Sequence, residues 1–133
     1  MRFVAAILIT AALSLPARAG DIADALDDYF AFASYADGVI TPEQLTPDIL
    51  EQAVFIDTRS GAAFDENGLE GAVNIEWRET VDRLDEYPAG GLVVVYCDTS
   101  VLSTQAMLAA RLLGRQNVVV LQGGLAAWQA HHD

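Results

Sequence analysis

Three apolar segments, each separated from the next by residues with helical periodicity, constrain the fold of this 133-residue chain most strongly. They are AVFIDTR (53–59), LVVVY (92–96) and NVVVL (117–121). Their apolar residues are continuous rather than alternating, which is typical of strands buried on both faces of a parallel sheet. Strands of this kind in alternation with helices predict an α/β domain: an open parallel sheet covered by helices on both faces.

Two further segments are predicted to be amphipathic helices. The first, DIADALDDYFAFASYADG (21–38), places Ile22, Leu26 and Tyr29 on one side of a 3.6-residue period and its aspartates mostly opposite. We expect this extra N-terminal helix to cover one side of the core. The second, RETVDRLDEYPAGG (78–91), ends at a proline and two glycines.

The first nineteen residues, MRFVAAILITAALSLPARA, have the three parts of a secretory signal. A basic residue, Arg2, precedes an apolar run that Pro16 ends, and an A-x-A site follows. A membrane anchor is the alternative, but the run is shorter than the roughly 20 residues that a spanning helix needs. We therefore predict a signal peptide (1–19), an N-terminal helix (20–37) and one domain (38–133). Cleavage implies a periplasmic or secreted protein with no stable membrane insertion.

The chain is strongly acidic, with 19 acidic residues, 7 basic residues and a formal net charge of −12. All seven basic residues are arginines, and two of them lie in the predicted signal peptide. A surface with this charge repels nucleic acid and anionic lipid, so neither is expected as a partner.

The only cysteine, Cys97, directly follows the most strand-like segment of the chain. In open α/β sheets, sites lie at the carboxyl ends of strands, and here the loop CDTSVLS leads into a helix with unpaired first-turn amides. Such amides favour a thiolate, which is a nucleophile, whereas the acidic Asp98 opposes it. A small, inert core residue is the alternative role for Cys97. Ser103, near the helix start, is predicted to be a helix cap.

Four motifs resemble a rhodanese domain in their order and spacing. They are FIDTR (55–59), GLEGAVNI (68–75), VVVYC before the loop and helix, and LQGGLAAW (121–128), and the resemblance covers roughly residues 38–129. It implies a rhodanese-like fold and a sulfurtransferase of the thiosulfate:cyanide type. In such enzymes the loop cysteine takes a sulfane sulfur from a donor and passes it to an acceptor.

The resemblance also implies roles for individual residues. Cys97 matches the catalytic nucleophile, and Asp57 and Arg59 match a pair that braces the site. Gly123 and Gly124 match a glycine pair that turns the last strand toward the final helix. The loop residues match those whose amides cradle the persulfide; they are Asp98, Thr99, Ser100, Val101, Leu102 and Ser103.

Two features of this loop bear on substrate. It contains an acid and no basic residue, so a neutral or protein-borne sulfur donor fits its charge better than thiosulfate does. Arg78 is a candidate to supply positive charge from outside the loop. Rhodanese-fold phosphatases use C-x₅-R, and Ser103 stands where that arginine would be, so phosphoryl transfer is excluded.

We therefore predict a sulfurtransferase that moves a sulfane sulfur from thiosulfate, a persulfide or a polysulfide to a thiol or cyanide through a Cys97 persulfide. The expected partners are a small sulfur donor and a thiol or protein acceptor, and no metal or organic cofactor is implied. Two alternatives are a catalytically inactive rhodanese-fold binding module of the cell envelope and a thiol-redox sensor.

Overall fold

The computed structural model describes residues 19–132, so the predicted signal peptide lies, except for Ala19, outside the described residues. Within these residues, five strands form one sheet, and three short 3-10 helices lie in the connections, at Pro42–Gln44, Trp77–Glu79 and Leu84–Glu86. The strands are β1 (Val39–Ile40), β2 (Val54–Asp57), β3 (Val73–Asn74), β4 (Val93–Tyr96) and β5 (Val118–Leu121). The α-helices are α1 (Ala19–Phe32), α2 (Pro47–Leu50), α3 (Gly61–Asn67), α4 (Val101–Leu112) and α5 (Gly124–His132).

All four strand pairings are parallel, and the strand order is β1-β5-β4-β2-β3. The central strand β4 pairs with β2 along its whole length, from Val54 opposite Val93 to Asp57 opposite Tyr96. This register brings the residues that follow β2 beside those that follow β4. The predicted open parallel sheet is confirmed.

Consecutive residues of each central strand enter two different cores, because side chains alternate across a strand. In β4, Val93 and Val95 pack on one face of the sheet, together with Met107 and Ala110 of α4. On the other face, Val94 and Tyr96 of β4 are buried. They share this core with Leu45 from the loop before α2, Leu121 at the end of β5 and Leu125 of α5. Helices therefore cover both faces, and this explains the continuous apolar runs of the sequence.

Helix α1 is present, as the sequence predicts, but it ends at Phe32, before the aspartate–glycine pair at 37–38. It lies against α4, where the hydroxyl of Tyr29 is 4.0 Å from the sulfur of Met107. None of its residues is buried.

The prediction of a helix over residues 78–91 is wrong. The chain there forms two separate 3-10 turns joined by a turn that contains Arg83, whose guanidinium pairs with Glu79 and Glu86. Thr80 and Tyr87 are both buried, and their hydroxyls lie 3.1 Å apart. Burial of these two side chains outweighs the helical periodicity, since propensity is a weak preference that tertiary packing overrides.

Within residues 19–132, no helix is both long enough and apolar enough to cross a membrane.

Candidate active site

Cys97 immediately follows the central strand β4, at the carboxyl edge of the sheet, and is only 2% exposed. Its backbone is held by the first turn of α5, where the amide of Leu125 donates to the Cys97 carbonyl at 2.7 Å. The next amide, from Ala126, donates to the Asp98 carbonyl at 3.1 Å. The start of α5 therefore holds the backbone on which the thiol is mounted.

The sulfur of Cys97 faces hydrogen-bond donors of the loop and of the first turn of α4. The hydroxyl of Ser103 donates to the sulfur at 3.5 Å, and the amides of Thr99, Leu102 and Ser103 also point to it. Burial raises the pKa of the Cys97 thiol, but these hydrogen bonds together outweigh burial and hold the pKa below its ordinary value. A thiol in this setting is readily converted to the thiolate, which is the nucleophilic form.

Ser103 is not the helix cap that the sequence predicts. Helix α4 begins at Val101, so Ser103 is its third residue, and its buried hydroxyl lies 3.2 Å from the Ser100 carbonyl as well as near the Cys97 sulfur. The N-cap position belongs to Ser100, which adopts the left-handed conformation with a φ of +78°. The loop must reverse direction within a few residues for its amides to reach the sulfur, and this turn needs a conformation that glycine favours.

Asp98 lies close to the thiol in sequence, but its charge is partly compensated. Its carboxylate pairs with Arg59 at 3.1 Å, while 73% of its side chain is exposed. Arg59 itself is buried and forms a forked contact with the fully buried Asp57, with a shortest distance of 2.7 Å. The hydrogen bond to Asp57 raises the pKa of Arg59, which stays charged. Arg59 thus ties the loop after β4 to the end of β2.

Two polar residues beside this network are not among the predicted site residues. Asn67, at the end of α3, accepts a hydrogen bond from Arg59 at 2.8 Å. Thr58 is buried, and its amide and hydroxyl both donate to the Tyr96 carbonyl, at 2.8 and 2.9 Å. The register of β2 and β4 brings Thr58 beside Tyr96, and the path of α3 brings Asn67 back to Arg59. Local sequence patterns report neither contact.

The glycine pair after β5 packs against the loop. Gly123 and Gly124 both have positive φ, +76° and +60°. A Cβ atom on Gly124 would lie 2.3 Å from the Cys97 carbonyl oxygen and 2.8 Å from that of Asp98. The absence of a side chain at Gly124 therefore lets α5 approach the loop closely enough for its amides to bond these carbonyls.

The remaining predicted site residues lie at the surface. Thr99 and Val101 are exposed, and Leu102 is partly buried. Arg78 is 73% exposed; its guanidinium pairs with Glu76 at 3.1 Å and lies over the ring of Trp77. The structure thus places the Ser103 hydroxyl against the Cys97 sulfur. It joins Asp57, Arg59 and Asp98 in one ion-pair cluster that includes the residue after Cys97. Arg78 is engaged with a carboxylate of its own turn. Within residues 19–132, no group of three or more His, Cys, Asp or Glu side chains is arranged to hold a metal ion.

Comparison with known proteins identifies a family. A family model described as a rhodanese-like domain matches residues 41–131. The probable adenylyltransferase/sulfurtransferase MoeZ of Mycobacterium tuberculosis is 32% identical over 93 residues. This alignment covers 67% of the chain but only 24% of MoeZ, so the chain spans a minor part of that relative.

Solved structures show the same fold. A rhodanese-related protein of Thermoplasma volcanium superposes with a TM-score of 0.64 at 19% identity, over 70% of this chain and 91% of its own. The single-domain sulfurtransferase RDL2 of Saccharomyces cerevisiae has a TM-score of 0.60 at 18% identity, over 75% of this chain and 94% of its own. At these identities the likeness establishes the fold alone.

Proposed function

The chain belongs to the rhodanese-like domain family, and we propose that it is a sulfurtransferase that carries sulfane sulfur on Cys97. The observation that supports this most directly is the set of donors around the Cys97 sulfur, the Ser103 hydroxyl and the amides of Thr99, Leu102 and Ser103, which lowers the pKa of the thiol. A relative and a structural neighbour that are named as sulfurtransferases agree with this chemistry.

The proposed reaction begins with attack of the Cys97 thiolate on the sulfane sulfur of a donor such as thiosulfate, a persulfide or a polysulfide. A new sulfur–sulfur bond forms at Cys97 and the donor's own bond breaks. The electron pair of the broken bond leaves with sulfite or with a thiolate. The loop amides then face a sulfur anion of the persulfide, and converging amides stabilise negative charge.

In the second half of the reaction, an acceptor thiolate or cyanide attacks the outer sulfur of the persulfide. Cys97 leaves as a thiolate, and the donors that lower its pKa also make it a better leaving group. The donor's reduction and the acceptor's oxidation balance over the cycle, so neither half requires a metal or an organic cofactor.

The test is to incubate the purified protein with thiosulfate or a polysulfide and measure its intact mass. We expect one added sulfur atom on the protein, removed again by cyanide or a thiol, and none on Cys97→Ser. If no donor adds sulfur to Cys97, the sulfurtransferase proposal is wrong.

The same experiment separates the two alternative functions. A thiol-redox sensor would yield mixed disulfides through Cys97 and no sulfur adduct. An inactive binding module would yield neither product, and Cys97→Ser would keep its partners.

Export to the periplasm or the medium is a separate proposal, supported by the signal-like sequence before Gly20. N-terminal sequencing of the protein recovered from a bacterial periplasmic fraction tests it, and we expect the chain to start at Gly20. Recovery of the intact chain from the cytoplasm would contradict it.

A further inference from the structure

Asp98, the residue after Cys97, belongs to a cluster in which a single guanidinium faces two carboxylates. Arg59 contacts Asp57 at 2.7 Å and Asp98 at 3.1 Å. The remaining hydrogen bond of its guanidinium goes to the neutral side chain of Asn67. The cluster therefore carries one net negative charge, and each of the three guanidinium nitrogens of Arg59 already donates to a member of the cluster.

The other arginines of the described chain are also engaged, and the sequence contains no lysine. Two pair with acids of their own turns, and two donate to backbone carbonyls. These contacts are Arg78 to Glu76, Arg83 to Glu79 and Glu86, Arg111 to the Val118 carbonyl, and Arg115 to the Tyr87 carbonyl. The loop 98–103 itself contains no arginine or lysine.

The loop therefore presents an acid and apolar groups to an approaching molecule. Asp98 is 73% exposed, next in sequence to the reactive cysteine, and Val101 is 66% exposed at the start of α4. The other side chains of the loop are uncharged. Backbone amides that converge on the sulfur supply a positive potential that acts only at short range. The exposed Asp98 carboxylate acts at longer range, on a donor that has not yet reached the sulfur.

We propose that this site selects its sulfur donor by charge: persulfides with a neutral or cationic body transfer sulfur to Cys97 faster than anionic persulfides or thiosulfate do. The inference rests on the proposed sulfurtransferase function. In the reaction, Cys97 forms a bond to the terminal sulfur of R–S–S–H, and the donor's sulfur–sulfur bond breaks. Its electron pair leaves on R–S⁻, and the proton stays on the transferred sulfur. The sulfur of Cys97 is oxidised while the R-bound sulfur of the donor is reduced to a thiolate, so no further reactant is needed.

Coulomb's law sets the size of the effect. A unit charge on the donor, about 8 Å from one uncompensated negative charge in a mostly aqueous surrounding, changes the rate by about threefold. A cationic and an anionic donor differ by two units of charge, which corresponds to roughly tenfold at low salt. Because the Debye length falls to about 3 Å at 1 M salt, the difference should largely vanish there.

Three donors of matched size test the proposal: the persulfides of 2-mercaptoethanol, cysteamine and 3-mercaptopropionate. They present a hydroxyl, an ammonium and a carboxylate on similar short chains. The measurement is the second-order rate constant for addition of one sulfur to Cys97, followed by intact mass at low and high salt. We expect the order ammonium, hydroxyl, carboxylate at low salt, with thiosulfate slowest, and convergence of the three persulfides at high salt.

Asp98→Asn tests the residue responsible. It should reduce the ratio of the ammonium to the carboxylate rate by roughly tenfold, to near one, because it removes the one net negative charge of the cluster and the two donors differ by two units of charge. The hydroxyl donor is the internal control, since damage to the loop would slow all three donors together. The matched variant is Asp48→Asn, in α2, which leads into the amino end of β2 at the opposite edge of the sheet. It removes the same charge and should leave the ratio unchanged.

The outcomes separate this inference from the function on which it rests. Sulfur addition at equal rates from all three persulfides, or fastest from the carboxylate, overturns charge selection and leaves the sulfurtransferase function intact. A ratio that Asp48→Asn lowers as much as Asp98→Asn does also overturns the assignment to this site. Addition from no donor contradicts the proposed function itself.

Discussion

Two surface segments are held very differently by the rest of the protein. One is helix α1, and the other is the loop that follows β4 and carries Cys97. The loop is attached to three elements: the amides of α5, the Arg59 cluster after β2, and the first turn of α4. Helix α1 has no buried residue, and its Ile22, Phe30 and Phe32 are exposed. A cavity of about 480 Å³ lies between α1 and α4.

This difference shows where the protein concentrates its order. A nucleophile surrounded by amides works only if those amides stay in place, and several independent attachments achieve this. A helix attached through few buried contacts has a low free energy of local opening. We therefore expect substitutions around the loop to cost far more stability than substitutions on α1, and the predictions below test that contrast in order of decreasing effect.

Arg59→Met should have the largest effect, a loss of about 3–5 kcal/mol in the free energy of unfolding, because it leaves the fully buried Asp57 carboxylate without its cation. Urea denaturation at neutral pH measures it. Arg83→Met is the matched control, because Arg83 pairs with acids that are about half exposed and should cost under about 1 kcal/mol. Equal losses in the two variants would show that the buried cluster contributes nothing special.

Gly124→Ala should cost about 3 kcal/mol and slow the reactions of Cys97, since the new Cβ would meet the Cys97 carbonyl oxygen at 2.3 Å. Gly91→Ala is the control: Gly91 also has a positive φ, +72°, but no atom lies within 4 Å of its Cβ position. It should cost only about 1–2 kcal/mol. A Gly124→Ala variant no less stable than Gly91→Ala would contradict the close approach of α5 to the loop.

Ser103→Ala should raise the pKa of Cys97, because it removes the hydroxyl that donates to the sulfur. The pH dependence of alkylation by iodoacetamide measures this. Thr104→Val is the control, because the Thr104 hydroxyl bonds the Ser100 carbonyl instead of the sulfur. An unchanged alkylation midpoint in Ser103→Ala would show that the amides alone set the pKa.

The same shift links the thiol to folding. The pKa of Cys97 is lowered in the folded state, so the thiolate stabilises the fold above the ordinary thiol pKa. That contribution is lost as the pH falls through the lowered value. Ser103→Ala should therefore lose more stability at high pH than at low pH.

Ser100→Gly should stabilise the protein by about 0.5 kcal/mol. Serine adopts the left-handed conformation at a cost of about 1–2 kcal/mol, and glycine avoids this cost. The free energy gained in this way exceeds the free energy lost because glycine gives the unfolded chain more entropy. Thermal unfolding measures it, and Thr99→Gly, at a neighbouring position without positive φ, should destabilise instead. A less stable Ser100→Gly variant would contradict this account of the turn.

Phe32→Ser on α1 should have the smallest effect, under about 0.5 kcal/mol, because this side chain is 88% exposed. Leu125→Ala, in the buried face of α5, is the contrasting helix substitution and should cost about 2–5 kcal/mol. A loss of similar size in Phe32→Ser would mean that α1 is held as firmly as the helices that cover the sheet.

Much of the fold could be predicted because it depends on local patterns. Continuous apolar runs identify β2, β4 and β5, and their alternation with helices implies a parallel sheet. The position of Cys97 at the end of a strand follows from the same pattern. The segment 78–91 could not be predicted in this way, because burial of Thr80 and Tyr87 determines its path and the periodicity of the segment does not.

Local sequence patterns were thus sufficient to predict the parallel sheet, its alternation with helices and the place of a lone cysteine before a helix. The surroundings of that cysteine depend instead on tertiary contacts. The compensation of Asp98 by Arg59 joins residues 39 positions apart, and the hydroxyl of Ser103 turns inward because α4 begins at Val101 and not later. Charge and hydrogen bonding act through space, so the environment of a reactive group depends on strand register and helix starts that no local pattern records.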